Sequence, residues 1–132
     1  MTRFANRNLM PETHPDAERN ALPQLTQFDF HSHLADTRGV VLVAFSRAGC
    51  GSCRHLHRVF DELRRSCPEW HLYEVDVERE PGLVNEFEVF HLPSVFLFHD
   101  GEFHCPLVAE ANTAAIVGAV TAALQQPAEE AP

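Results

Sequence analysis

Residues 40–45, Val-Val-Leu-Val-Ala-Phe, are apolar without interruption and rich in β-branched side chains. A strand with one wet face alternates apolar and polar residues, so an unbroken run of this kind marks a central strand covered on both sides. The chain leaves this run and within a few residues reaches Cys50 and Cys53. From Cys53 onward Leu56, Val59, Phe60, Leu63 and Cys67 recur at spacings of three and four, which predicts a helix with one buried stripe, and Pro68 closes it. Two cysteines therefore stand where a buried strand becomes a helix.

The other segments fit around this unit. The sequence predicts a brief strand around Pro23–Thr26, a short helix over Phe28–Ala35 and a second strand over Trp70–Val77. A short helix follows in which Leu83, Val84 and Phe87 share a face. Residues 94–108 read as two antiparallel strands joined by an Asp100-Gly101 turn, residue types that tolerate positive φ in a tight hairpin. Pro106 cannot donate to a ladder, so the last strand belongs at a sheet edge. Asn112 can cap a final helix in which Ile116, Val120 and Leu124 recur every fourth residue. The order β-α-β-α-β-α-β-β-α implies an α/β fold: a three-layer α/β/α sandwich with a mixed central sheet, its early strands parallel and its hairpin antiparallel.

At 132 residues the chain fits one domain with one core, large enough to need no staple of disulfide or metal. The expected organisation is a flexible arm over residues 1–20, a domain over 21–125 and a disordered acidic tail over 126–132. A formal net charge of −9 repels phosphate backbones and anionic lipid surfaces, which argues against nucleic-acid and membrane partners. Arg54, Arg58, Arg64 and Arg65 form a local basic stretch, but they fall on several sides of a helix among acidic neighbours and read as a solvated surface. There is no apolar run of membrane-spanning length and no secretory apolar middle near Met1, so a cytoplasmic location is expected. In a reducing compartment a close cysteine pair points to catalysis or metal binding and not to a structural bridge.

With Cys50 just ahead of the helix and Cys53 in its first turn, helix geometry places their α-carbons roughly 5 Å apart, inside the disulfide window. Unpaired amides at the helix start favour a thiolate at Cys50, the expected nucleophile, and Arg47 and Arg54 add positive potential. Cys53, turned inward, is the expected resolving thiol, and Gly51 and Ser52 keep the intervening turn small. A metal reading competes, because Cys50, Cys53 and His57 form a C-x2-C-x3-H cluster. No second C-x-x-C or H-x3-H supplies a fourth ligand, and His55 and His57 are explained more simply as exposed helix residues. Cys67 and Cys105 read as small buried hydrophobes.

The strand-to-helix C-x-x-C, together with Phe90-His91-Leu92-Pro93-Ser94-Val95 and the Asp100-Gly101 turn, resembles the thioredoxin family over about Leu25 to Leu124. The resemblance implies a thioredoxin fold and a cis proline at Pro93, packed against the dithiol. It also implies that Leu92 offers backbone hydrogen bonds to a bound peptide, with Gly51, Ser52, Leu92 and Pro93 as substrate-binding residues. Gly82 and Gly101 stand where the family has glycine. Several positions depart from the pattern. Gly49 replaces the tryptophan before the first cysteine, Ser46 replaces the one further back, and Gly-Ser replaces Gly-Pro between the cysteines. The family's buried aspartate, which assists deprotonation of the second cysteine, is Ala44, and its lysine partner on the neighbouring strand is Glu74. Glu74 is accordingly expected to supply the missing carboxylate from the other strand, buried and raised in pKa, as proton acceptor for Cys53 through water.

The function so implied is thiol-disulfide oxidoreduction through Cys50 and Cys53, with protein disulfides as substrates, an electron-donating reductase as a further partner and no cofactor. Two rival readings remain at this stage: a thioredoxin-fold adaptor or assembly chaperone with a vestigial dithiol, and metal delivery through Cys50, Cys53 and His57.

Overall fold

The computed structural model describes residues 22–132, and the arm expected over residues 1–20 lies outside them. In chain order the elements are α1 (Phe30–Ala35), β1 (Val40–Ser46), α2 (Gly51–Ser66), β2 (His71–Asp76), α3 (Pro81–Glu86), β3 (Ser94–His99), β4 (Glu102–Leu107) and α4 (Thr113–Leu124). The strands form one mixed sheet in the order β2-β1-β3-β4. β1 runs parallel to β2 and antiparallel to β3, and β3 to β4 is an antiparallel hairpin. The unbroken apolar run is thus an inner strand with a neighbour on each side. Among the described residues no helix is long and apolar enough to cross a membrane.

The strand expected around Pro23–Thr26 is only a single parallel bridge, Gln24 to Glu74. Leu25 donates its amide to the Glu74 carbonyl and the Pro23 carbonyl accepts from the Glu74 amide, each at 2.9 Å. Pairing stops there because Thr26 turns the chain instead, its amide held by Asp29 Oδ1 at 2.8 Å. Pro106 does lie on the edge strand, opposite Phe96. Asp100 and Gly101 have φ of 52° and 88°, the positive pair that the two-residue hairpin demands. A Cβ at Gly101 would also come within 2.6 Å of the Ala35 carbonyl oxygen, so glycine is required there on two counts. Asn112 caps α4 through Oδ1, which accepts from the Ala115 amide at 2.8 Å.

The expected single core is split by the sheet. On one face Leu42, Ala44, Leu72 and Leu97 pack with Leu56, Val59, Phe60 and Leu63 of α2 and with Ile116 and Val120 of α4. On the other, Val41, Val43, Phe45 and Val75 pack with Phe30 and Leu34 of α1 and with Leu83 and Phe87. Odd and even residues of β1 thus serve different layers, which follows from the two-residue period of a strand. The second cluster is built largely of rings. Phe87 lies 5.2–6.3 Å, centroid to centroid, from Phe30, Phe45, Phe96, Phe98 and Phe103, within the range of favourable aromatic contact.

Residues 126–132 form neither helix nor strand, yet they do not trail away as the sequence led us to expect. The Glu129 amide donates to the His104 carbonyl at 2.7 Å, and Ala131 and Pro132 line a cavity together with Phe87, Phe98 and Phe103. An edge strand presents unpaired backbone acceptors, and the tail supplies a donor.

Because Phe87 touches every member of the ring cluster, Phe87→Ala should lower the unfolding free energy by about 3–5 kcal/mol. Urea denaturation followed by circular dichroism measures this; a loss below about 1 kcal/mol would show that the neighbouring rings close the gap.

Candidate active site

β1 ends at Ser46, and the four residues 47–50 carry the chain to the first residue of α2. Cys50 is the N-cap of α2, with extended backbone, and its Sγ accepts from the Cys53 amide at 3.2 Å. The two cysteines are joined as a disulfide with α-carbons 5.2 Å apart, in agreement with the spacing expected from helix geometry. Their surroundings differ. Cys50 is half-buried with its sulfur 3.4 Å from Ser52 Oγ, whereas Cys53 is buried at 5% exposure under the first turn. Gly51 and Ser52 are both exposed. An outer sulfur next to free helix amides and an inner sulfur one turn on is the arrangement that sequential thiol exchange requires.

The register Phe45 to Ser94 brings Leu92 and Pro93 to the same end of the sheet as the cysteine loop. Both are half-buried, and the peptide bond between them is cis. Pro93 lines a shallow apolar cavity with Leu56, Phe96 and Pro106. Gly49, at the place where a tryptophan stands in the family pattern, has φ of +80°. This is the left-handed region that a residue with a Cβ enters only at a cost.

Ala44 and Glu74 are direct partners across the β1–β2 ladder, so their side chains share the face covered by α2. Glu74 points into that layer with its side chain only 17% exposed. Its Oε2 accepts from Ser46 Oγ at 2.5 Å and its Oε1 from Gln24 Nε2 at 2.7 Å. His57 Nδ1 lies 3.9 Å from Oε2. Cys53, His57, Glu74, Ser46 and Gln24 all line one cavity of about 450 Å³, with Arg47, Arg54 and Arg58 at its rim. The carboxylate that the sequence placed near Cys53 is therefore on the wall of Cys53's own cavity.

Sequence reasoning missed three members of this group. His57 was read as an exposed helix residue or a metal ligand, although its spacing of four from Cys53 was the signal that could have placed it on the cavity side. Ser46 was seen only as a lost tryptophan, and Gln24 gave no signal because its partner is 50 residues away. Among the described residues no three His, Cys, Asp or Glu side chains are gathered to hold an ion, because the two sulfurs face each other and His57 faces Glu74. Cys67 is corrected: it caps the end of α2 and is half-buried. Cys105 is buried, and its thiol is pushed up in pKa first by burial and then by the negative charge of Glu129.

A family profile described as Thioredoxin matches residues 21–122. The chain belongs to the thioredoxin family. It is 32% identical over 69 residues to the thioredoxin of Mycoplasmoides gallisepticum, covering 52% of this chain and 69% of that one. It is 26% identical over 82 residues to the chloroplastic thioredoxin M4 of Arabidopsis thaliana, where the match spans 61% of this chain and 42% of that longer one. In three dimensions it is similar to oxidised mitochondrial thioredoxin 3 of Saccharomyces cerevisiae, with a TM-score of 0.67 at 22% identity over 76% of this chain and 94% of that one. That likeness shows the fold. With the family and the paired sulfurs together, the chain is a thiol-disulfide oxidoreductase whose redox pair is Cys50 and Cys53.

No atom lies within 4 Å of where a Gly49 Cβ would be, so a substitution there meets backbone strain and no clash. Gly49→Ala should cost about 1 kcal/mol of stability, and Gly49→Asn less, since asparagine tolerates positive φ better. Urea titration of the oxidised proteins checks both; equal stability of all three would mean that the loop shifts to a negative φ.

Proposed function

We propose that the substrates are protein disulfides and that Cys50 opens them while Cys53 releases them. The observation carrying this reading is the unequal burial of two sulfurs at one helix start, with the outer one accepting the amide of the inner one. The Cys50 thiolate attacks one sulfur of a client disulfide; that S–S bond breaks and the other client sulfur leaves with the electron pair. Cys53, once deprotonated, attacks Cys50 Sγ, forming the internal bridge and expelling the second client sulfur. Two electrons have then passed to the client, and an electron-donating reductase must return them before the next turnover.

Leu92 and Pro93, at the same sheet end as the dithiol, support a role in holding the client backbone beside Gly51 and Ser52. The place of Glu74 opposite Ala44 and on the wall of the Cys53 cavity supports a role as the carboxylate that assists deprotonation of Cys53. A cytoplasmic, reducing setting belongs to the same reading and is consistent with Cys67 and Cys105 standing unpaired.

Two outcomes test the assignment of roles. Cys53→Ser should reduce no insulin catalytically yet accumulate mixed disulfides through Cys50, visible as reductant-sensitive adducts on gels; adducts that survive in Cys50→Ser would reverse the roles. Glu74→Gln should slow release of the mixed disulfide while leaving attack by Cys50 unchanged, and equal slowing of both steps in rapid-mixing experiments would count against a part for Glu74 in deprotonating Cys53.

A further inference from the structure

We propose that the proton of Cys53 leaves through His57, with Glu74 acting as the positioning residue that holds the charged imidazole. This rests on the division of labour between Cys50 and Cys53 given above. Cys53 and His57 are four residues apart on one face of α2 and open into the same cavity. Glu74 is fixed against the sheet by Gln24 and Ser46, which donate to its two oxygens. Its Oε2 lies 3.9 Å from His57 Nδ1, close enough to fix which ring nitrogen faces the sheet. His57 also reaches where a buried thiol does not: its side chain is 34% exposed, against 5% for Cys53. It joins the inner sulfur to solvent.

The other charged groups around the cavity leave this role to His57. Arg54 and Arg58 on α2 and Arg47 on the preceding loop have no acceptor atom to offer a proton. Asp76 on β2 accepts the Glu78 amide at its Oδ1, at 2.9 Å. An imidazole is the side chain whose charge normally changes between about pH 5 and 8.

In the mixed disulfide the Cys53 thiol proton moves to Nε2 of His57, the nitrogen opposite the one facing Glu74. The sulfur keeps the electron pair and attacks Cys50 Sγ. The Cys50–Cys53 bond forms as the bond from Cys50 to the client sulfur breaks, and the client leaves as a thiolate. The imidazolium then gives its proton to that thiolate or to water, and His57 is neutral again.

The test uses the reduced protein in a Cys67→Ser background, so that the dithiol is the accessible reactive pair, mixed rapidly with dithiobis(nitrobenzoate). The first nitrothiobenzoate released reports attack by Cys50, and the second reports closure by Cys53. His57→Ala should slow the second release by about tenfold or more and flatten its pH dependence, while the first release stays within about twofold. Added imidazole should restore the second release, which a merely structural role for His57 would not allow. Closure at the parent rate in His57→Ala, or equal slowing of both releases without rescue by imidazole, overturns the inference and leaves the dithiol reading standing. Absence of a second release in the parent protein itself would sink both.

Discussion

β1 has to be covered on both faces, and everything at the active site follows from that requirement. Val41, Val43 and Phe45 face the phenylalanine layer while Leu42 and Ala44 face α2 and α4. Apolar contact on each side fixes the strand's height and rotation. Its last residue, Ser46, is then both a buried hydroxyl on Glu74 and the start of the turn that presents Cys50. The cap of α2 is positioned by a strand that cannot slide, and the first turn of α2 sets the spacing of the two cysteines.

The carboxylate of this layer stands on the strand beside β1, with Glu74 opposite Ala44. At Ala44 an acid would rise from the central strand directly beneath α2; at Glu74 it rises from the neighbouring strand on the same face, with a longer side chain. The change brings new company. Gln24 reaches it from the bridge that precedes α1, Ser46 from β1 and His57 from α2, so four segments meet at one carboxylate. Such a convergence explains why single bridge pairing at Gln24 suffices: its side chain makes the contact that a longer strand would otherwise have to secure through backbone.

What the sequence made legible was local and periodic. The buried strand, the helix after Cys53 with its stripe at Leu56, Val59, Phe60 and Leu63, the Asp100-Gly101 hairpin and the Asn112 cap all depend on residues within a turn or two of one another. The placement of Glu74 opposite Ala44 was legible because two adjacent strand positions differ from the family pattern together. His57's orientation was hidden, since a helix position midway between the buried stripe and the solvent face can turn either way until its partner on β2 is known. The split of the core by the sheet, the antiparallel placement of β3 beside β1 and the docking of residues 126–132 are non-local, and composition read the last of these as a free tail.

That tail has a consequence for the open margins of the sheet. Unfolding polypeptides with exposed disulfides also carry bare strands, and any open sheet margin invites them to zip on lengthwise. Here one margin is met by the Gln24 bridge to β2 and the other by the Glu129 contact to β4. Each margin is thus interrupted at one position by backbone from the same chain, which shortens the open run on which another strand could pair.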